Sequence, residues 1–128
     1  MPPEAGSPET WLRYAEADLE MTRIPLPPHG LYEQLCFHAQ QAAEKSIKAV
    51  LIREGVPFPR AHSIERLVDL LPPGIVRTAD LVAAAQLSEY ATTFRYPGEE
   101  EAVSEEEYHE ALRIAESVFV WASARIRG

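Results

Sequence analysis

Leu31-Tyr-Glu-Gln-Leu-Cys-Phe-His-Ala-Gln-Gln-Ala-Ala-Glu-Lys-Ser-Ile-Lys-Ala-Val-Leu-Ile-Arg-Glu54 contains neither proline nor glycine, and its periodicity decides the fold. Leu35, Ala39, Ala42, Ser46 and Ala49 recur at steps of three and four residues, the spacing of one helix face. Small side chains on that stripe let a neighbouring helix approach closely. Ile47 and Leu51 fall on a different side, so more than one face is apolar. Such a helix either sits at the centre of a bundle or packs on its own bundle and on a second subunit. Gly55 supplies the residue that commonly follows a helix C-terminus.

Outward from this segment the chain is punctuated by proline and glycine. The Pro25-Leu-Pro-Pro-His-Gly30 loop separates it from a first helix that opens at Ser7-Pro8, an N-cap followed by proline. Trp11, Ala15, Leu19 and Thr22 are the apolar line of that helix. On the other side, Val56-Pro-Phe-Pro-Arg-Ala-His62 leads to a short helix beginning near Ser63, with Ile64, Leu67, Val68 and Leu71 facing inward. Pro72-Pro-Gly74 breaks it. A fourth helix is expected from about Val76 to Tyr96, with Ala83, Leu87, Tyr90 and Phe94 on its main stripe and Ala84, Ser88, Ala91 and Arg95 on another side. Pro97-Gly98 ends it. The last helix opens with Ser104-Glu-Glu-Glu107, a capping box, and carries Tyr108, Leu112, Ala115, Phe119, Ala122 and Ile126 at helical spacing. No segment alternates as a strand does. The fold class is all-α, an up-and-down antiparallel bundle of four to five helices, in a single domain over residues 1–128.

Composition narrows the function. At 128 residues, 46% of them hydrophobic and 25% charged, the chain has the make-up of a globular protein. Its start, Met1-Pro-Pro-Glu-Ala-Gly, has no basic segment and no apolar run, so no signal peptide is expected, and no stretch is apolar enough to span a bilayer. Together with the single cysteine, Cys36, this points to a cytoplasmic protein without disulfides. A net charge of −8 argues against a broad cationic surface for nucleic acid. The charge is uneven, however. Glu99, Glu100, Glu101, Glu105, Glu106 and Glu107 cluster together, whereas Lys45, Lys48, Arg53, Arg60, Arg66, Arg77 and Arg95 fall mid-chain and leave room for a local basic groove.

Gln34, His38, Gln41, Lys45 and Lys48 form a polar row on the second helix. Amide, imidazole and ammonium groups in line can donate to a phosphate or a base edge. A plain solvated helix face has the same pattern, and the row alone does not choose between them. Asp18 lies among the apolar positions of the first helix, where a carboxylate needs a partner. Arg95 is the candidate, with solvent as the alternative. Arg95-Tyr96-Pro97, beside Tyr90 and Phe94, can hold a phosphate and stack a base, or can close an aromatic core with a salt bridge. No metal cluster, glycine-rich phosphate loop, calcium loop or cofactor motif is present, and no catalytic residue is assigned.

These pieces together resemble the HEPN family of nucleotide-binding domains from higher eukaryotes and prokaryotes. The matching stretches are Trp11-Leu-Arg-Tyr-Ala-Glu-Ala-Asp18-Leu19, Phe37-His-Ala-Gln-Gln-Ala-Ala-Glu-Lys-Ser-Ile-Lys-Ala-Val-Leu51, His62-Ser-Ile-Glu-Arg-Leu67 and Tyr90-Ala-Thr-Thr-Phe-Arg-Tyr-Pro97. The resemblance implies a homodimeric helical bundle, often paired with a small nucleotidyltransferase in toxin–antitoxin arrangements. Catalytic members are metal-independent ribonucleases with an arginine, a polar residue and, a few positions on, a histidine. Here Arg95 is followed by no histidine before His109, Arg60 and His62 stand too close, and Arg23 and His29 lie in the proline loop.

Three functions follow from this reading. The first is a non-catalytic HEPN-type accessory protein that binds a nucleotide or RNA end through His38, Gln41, Lys45, Lys48, Arg95 and Tyr96 and serves a nucleotidyltransferase. The second is a divergent metal-independent ribonuclease using His38 or His62 as base and Arg95 to stabilise charge. The third is a structural dimerisation module.

Overall fold

Ser7 and Pro8 open the first helix as their chemistry requires. Ser7 keeps an extended backbone and its Oγ accepts from the Thr10 N–H at 3.1 Å, while Pro8 takes the first helical position, where no amide hydrogen is needed. The computed structural model describes residues 6–60, 63–88 and 103–128, with only the backbone of Ser88. Within them α1 spans Pro8–Thr22, α2 Tyr32–Arg53, α3 Ile64–Asp69, α4 Ala79–Ala84 and α5 Glu105–Arg127, with a 3-10 turn, Ala85–Ser88, continuing α4. No strand occurs among the described residues. The structure is therefore the all-α helical bundle expected from the sequence.

Helix α2 is the centre of the molecule. Leu35, Ala39, Ala42, Ser46 and Ala49 are all buried, and so are Ile47 and Leu51 on its other side. Its neighbours are α1, α5 and α3. The two apolar faces are thus both covered within one chain. The hydroxyls carried into this core bond to the carbonyl one turn back, Ser46 Oγ to Ala42 at 2.7 Å and, in α1, Thr22 Oγ1 to Asp18 at 2.9 Å. At the start of α2, Gln34 Oε1 accepts the Leu31 N–H at 3.1 Å, so this member of the polar row serves as a cap. At its end Gly55 adopts φ +71°, and the Val56 and Gly55 amides donate to Leu51 and Ile52 at 2.9 and 3.1 Å. That pair of bonds satisfies carbonyls the helix leaves open, and only a residue tolerant of left-handed backbone permits it.

Contacts fix the helix directions. Asp18 meets Lys45 and Arg127 meets Glu9, so α1 runs antiparallel to both α2 and α5. Tyr32 stacks on Tyr108 at 5.2 Å and Arg53 donates to the Arg125 carbonyl at 2.7 Å, so α2 and α5 run parallel. Tyr108 also donates to the Thr22 carbonyl at 2.7 Å; burial raises the phenol's pKa and keeps it a donor.

The boundaries of α4 differ from expectation. It begins at Ala79, where Thr78 Oγ1 accepts the Leu81 N–H at 3.1 Å, and Val76 is exposed outside it. The cause lies in Arg77. Its guanidinium donates to the carbonyls of Val68, Leu71, Pro72 and Ile75, which closes α3 and holds the turn before α4. The expected continuation through Tyr90, Phe94 and Tyr96 lies outside the described residues. In α5 the buried line is Tyr108, Ala111, Ile114, Ala115, Val118 and Ala122, whereas Leu112, Phe119 and Ile126 are half-buried. The seam is rotated because α5 packs on α1, α2 and α4 together. No helix among the described residues is long and apolar enough to cross a membrane.

Asp80 pins α4 to α5, accepting from Ser117 Oγ at 2.6 Å and from Arg113 Nη2 at 3.2 Å. The serine hydrogen bond first, and the arginine after it, hold its carboxyl below the usual range. A carboxylate with a depressed folded pKa stabilises the fold above its unfolded pKa, near ~3.9, and loses that contribution as pH falls through the lower folded value. Asp80→Asn is expected to lower the melting temperature at neutral pH. The gap to the wild type should close once the medium is acid enough to protonate Asp80 in both states. Melting curves across a pH series would refute this if the gap stayed constant into strong acid.

Candidate functional site

The polar row of α2 divides in two. His38 and Lys45 lie two turns apart and both reach Asp18 of α1. His38 Nδ1 stands 3.2 Å from Asp18 Oδ1, and Lys45 Nζ donates to Oδ2 at 2.6 Å. An ionised carboxylate only accepts, so this contact assigns a proton to Nδ1. In the neutral tautomer Nε2 is the acceptor, on a side chain that remains 32% exposed. Phe37, an exposed residue, meets the imidazole edge-on at 5.7 Å between centroids. Lys45 keeps further ammonium donors beyond the one given to Asp18. The result is an ordered imidazole, an ammonium group and an aromatic face on one partly open surface between α1 and α2.

Gln41 and Lys48 turn the other way. Gln41 Nε2 donates to Gln40 Oε1 at 2.8 Å, Gln40 Nε2 to Glu44 Oε1 at 3.1 Å, and Lys48 Nζ to Glu44 Oε2 at 3.2 Å. Lys48 is 4% exposed and Glu44 2%. The Lys48 ammonium also lies 5.4 Å from the Trp11 ring centroid and 5.5 Å from that of Phe58. The expected cleft of His38, Lys45 and Lys48 is therefore not one surface, because Lys48 belongs to a buried row. Gln41 and Lys48 each stand three residues beyond His38 and Lys45, a step that turns them about 60° around the helix. There Trp11 of α1 and Phe58 cover Lys48.

Arg95 and Tyr96 lie outside the described residues, and with them the expected Asp18–Arg95 pair. Both oxygens of Asp18 are engaged by His38 and Lys45. Gln40 and Glu44 were absent from the sequence-derived candidates. Their signal was the spacing Gln40, Glu44, Lys48, an i, i+4, i+8 row of groups able to satisfy one another. Among the described residues no group of three His, Cys, Asp or Glu side chains comes together to hold a metal ion.

The helical bundle belongs to a known class. The family model described as the HEPN domain matches residues 8–126, and the chain belongs to the HEPN family. An archaeal HEPN homologue, ST0689, has a crystal structure that superposes with a TM-score of 0.71 at 30% identity, covering 94% of this chain and 98% of that one. The crystal structure of TT1696 from Thermus thermophilus superposes with a TM-score of 0.77 at 29% identity, covering 93% and 98% of the two chains. Among curated proteins, 50 residues of the chain are 40% identical to part of the Methanocaldococcus jannaschii protein described as "Putative toxin MJ1304". That alignment takes in 39% of the chain and 32% of the relative, so the chain spans about a third of that relative's length.

Proposed function

We propose that this chain is a non-catalytic HEPN protein of the toxin–antitoxin type, which binds a nucleotide or an RNA end on the α1–α2 face and acts with a small nucleotidyltransferase in the cytoplasm. The observation that carries it is the Asp18-held His38, ordered on a partly exposed surface beside Lys45 and Phe37. A ribose hydroxyl or exocyclic amine can donate to Nε2, the remaining Lys45 donors suit a phosphate, and Phe37 offers a ring for stacking a base. Arg95 and Tyr96 are proposed to complete the contact. The description of the Methanocaldococcus jannaschii relative supports the toxin–antitoxin setting. The shallow apolar depression on α5, about 350 Å3 and lined in part by Phe119, Val120 and Ala124, supports a homodimer.

Calorimetric titration with ATP and with a 5′-phosphorylated RNA oligonucleotide tests the site. His38→Ala is expected to weaken binding of the preferred ligand about tenfold, the worth of one to two hydrogen bonds. Asp18→Asn, which removes the charge that orders both His38 and Lys45, should weaken it similarly. Unchanged affinity in both variants would remove the α1–α2 face from the binding reading.

A divergent metal-independent ribonuclease is the second reading, favoured by the Asp18–His38 pair itself. A carboxylate on Nδ1 is the arrangement that orients an imidazole as a general base. It requires RNA cleavage in excess chelator that His38→Ala abolishes. Binding without cleavage returns the chain to the first reading.

A further inference from the structure

Away from the α1–α2 face, α3 and α4 leave a groove of about 290 Å3 between them. Its floor is aliphatic, built from Val68 of α3, Leu81 and Val82 of α4, and Ala85. Val82 is 60% exposed, next to the fully buried Leu81. One wall carries Glu65 and Asp69, four residues apart and hence on the same side of α3. Neither carboxylate has a hydrogen-bond or ion-pair partner among the described residues. Arg77 also lines the groove, but its guanidinium donates to four main-chain carbonyls, Val68 in the last turn of α3 and Leu71, Pro72 and Ile75 after it. Its guanidinium is held by those carbonyls and makes no ion pair with either acid among the described residues, so the groove's three charged groups sum to −1. The groove presents aliphatic side chains beside two carboxylates that make no ion pair among the described residues, with a net negative charge.

We propose that this groove is a docking site for a basic, amphipathic segment of a protein partner. Aliphatic side chains of the segment would lie on Val82 and Ala85, over the buried Val68 and Leu81, with lysine or arginine opposite Glu65 and Asp69. The volume is at the small end for a ligand pocket, which suits a few side chains rather than a cofactor. Charge selects the occupant. A second copy of this chain brings a net −8 to an acidic wall, whereas a cationic segment is attracted to it. The proposal stands apart from the α1–α2 site and holds whichever ligand that site takes.

The test uses the full chain, isotope-labelled, and a synthetic helix-forming peptide of leucine and lysine. A matched peptide with glutamate in place of lysine serves as the control. Amide shift changes on titration should centre on Val68, Leu81, Val82 and Ala85 with the lysine peptide and be absent with the glutamate one. Glu65→Lys with Asp69→Lys should weaken binding at least tenfold while leaving the melting temperature near that of the wild type. Val82→Glu should weaken it from the floor side. The proposal is overturned if the shifts centre elsewhere, if the charge-reversed protein binds equally well, or if the groove amides shift with protein concentration alone. The last result would assign the groove to a second copy.

Discussion

Glu44→Ala is expected to lower the stability of the folded chain by about 3–5 kcal/mol, the usual cost of removing one member of a buried ion pair. Glu44 accepts from Gln40 at 3.1 Å and from Lys48 at 3.2 Å, in surroundings where both charged side chains are almost fully buried. Without it, the Lys48 ammonium keeps, among the described residues, the Trp11 and Phe58 faces, and these do not replace a carboxylate. The desolvation already incurred by the lysine then goes uncompensated. Glu44→Gln with Lys48→Met should recover most of the loss, since replacing both charges with neutral groups of similar volume avoids the orphaned ion. Urea unfolding of the two variants measures this. A cost below about 1 kcal/mol for Glu44→Ala would mean that Lys48 swings its head group into water instead.

Ile47→Ala should cost about 2–5 kcal/mol through lost burial and the cavity left behind. Ile47 is completely buried on the side of α2 away from the small-residue stripe. The loss should be independent of protein concentration. That independence separates a helix enclosed by its own bundle from one whose second face is covered by another subunit, where stability rises with concentration. A concentration-dependent melting temperature that the substitution abolishes would place Ile47 at a subunit interface and contradict the packing described above.

The local chemistry of the helix ends was open to reading from sequence because capping is a short-range affair. Ser7, Ser63 and Ser104 each bond their side-chain oxygen to an amide three residues on, and Ser104 with Glu107 completes the capping box. The start of α4 escaped because Val76 and Arg77 fit a helical pattern. Arg77 is instead drawn onto carbonyls up to nine residues earlier in the chain. A side chain reaching backward over a turn leaves no periodic trace.

The candidate site was legible only in part. His38 and Lys45 stood out as polar positions, and Asp18 as a carboxylate in need of a partner. The pairing between them depends on how α1 and α2 are aligned, which no local pattern encodes.

The sequence by itself determined the all-α class, the central helix, most helix ends and the family. Each rests on spacing along one chain segment or on the chemistry of a few adjacent residues. Tertiary structure alone decided which polar side chains are accessible. Lys45 and Lys48 are the same residue type, three positions apart on one row. One lies partly exposed against Asp18 and the other is shut in by Glu44, Trp11 and Phe58. The difference is which neighbouring segment lies over each turn of α2. That is fixed by the packing of whole helices, because burial is set by what surrounds a side chain and not by the residue that bears it.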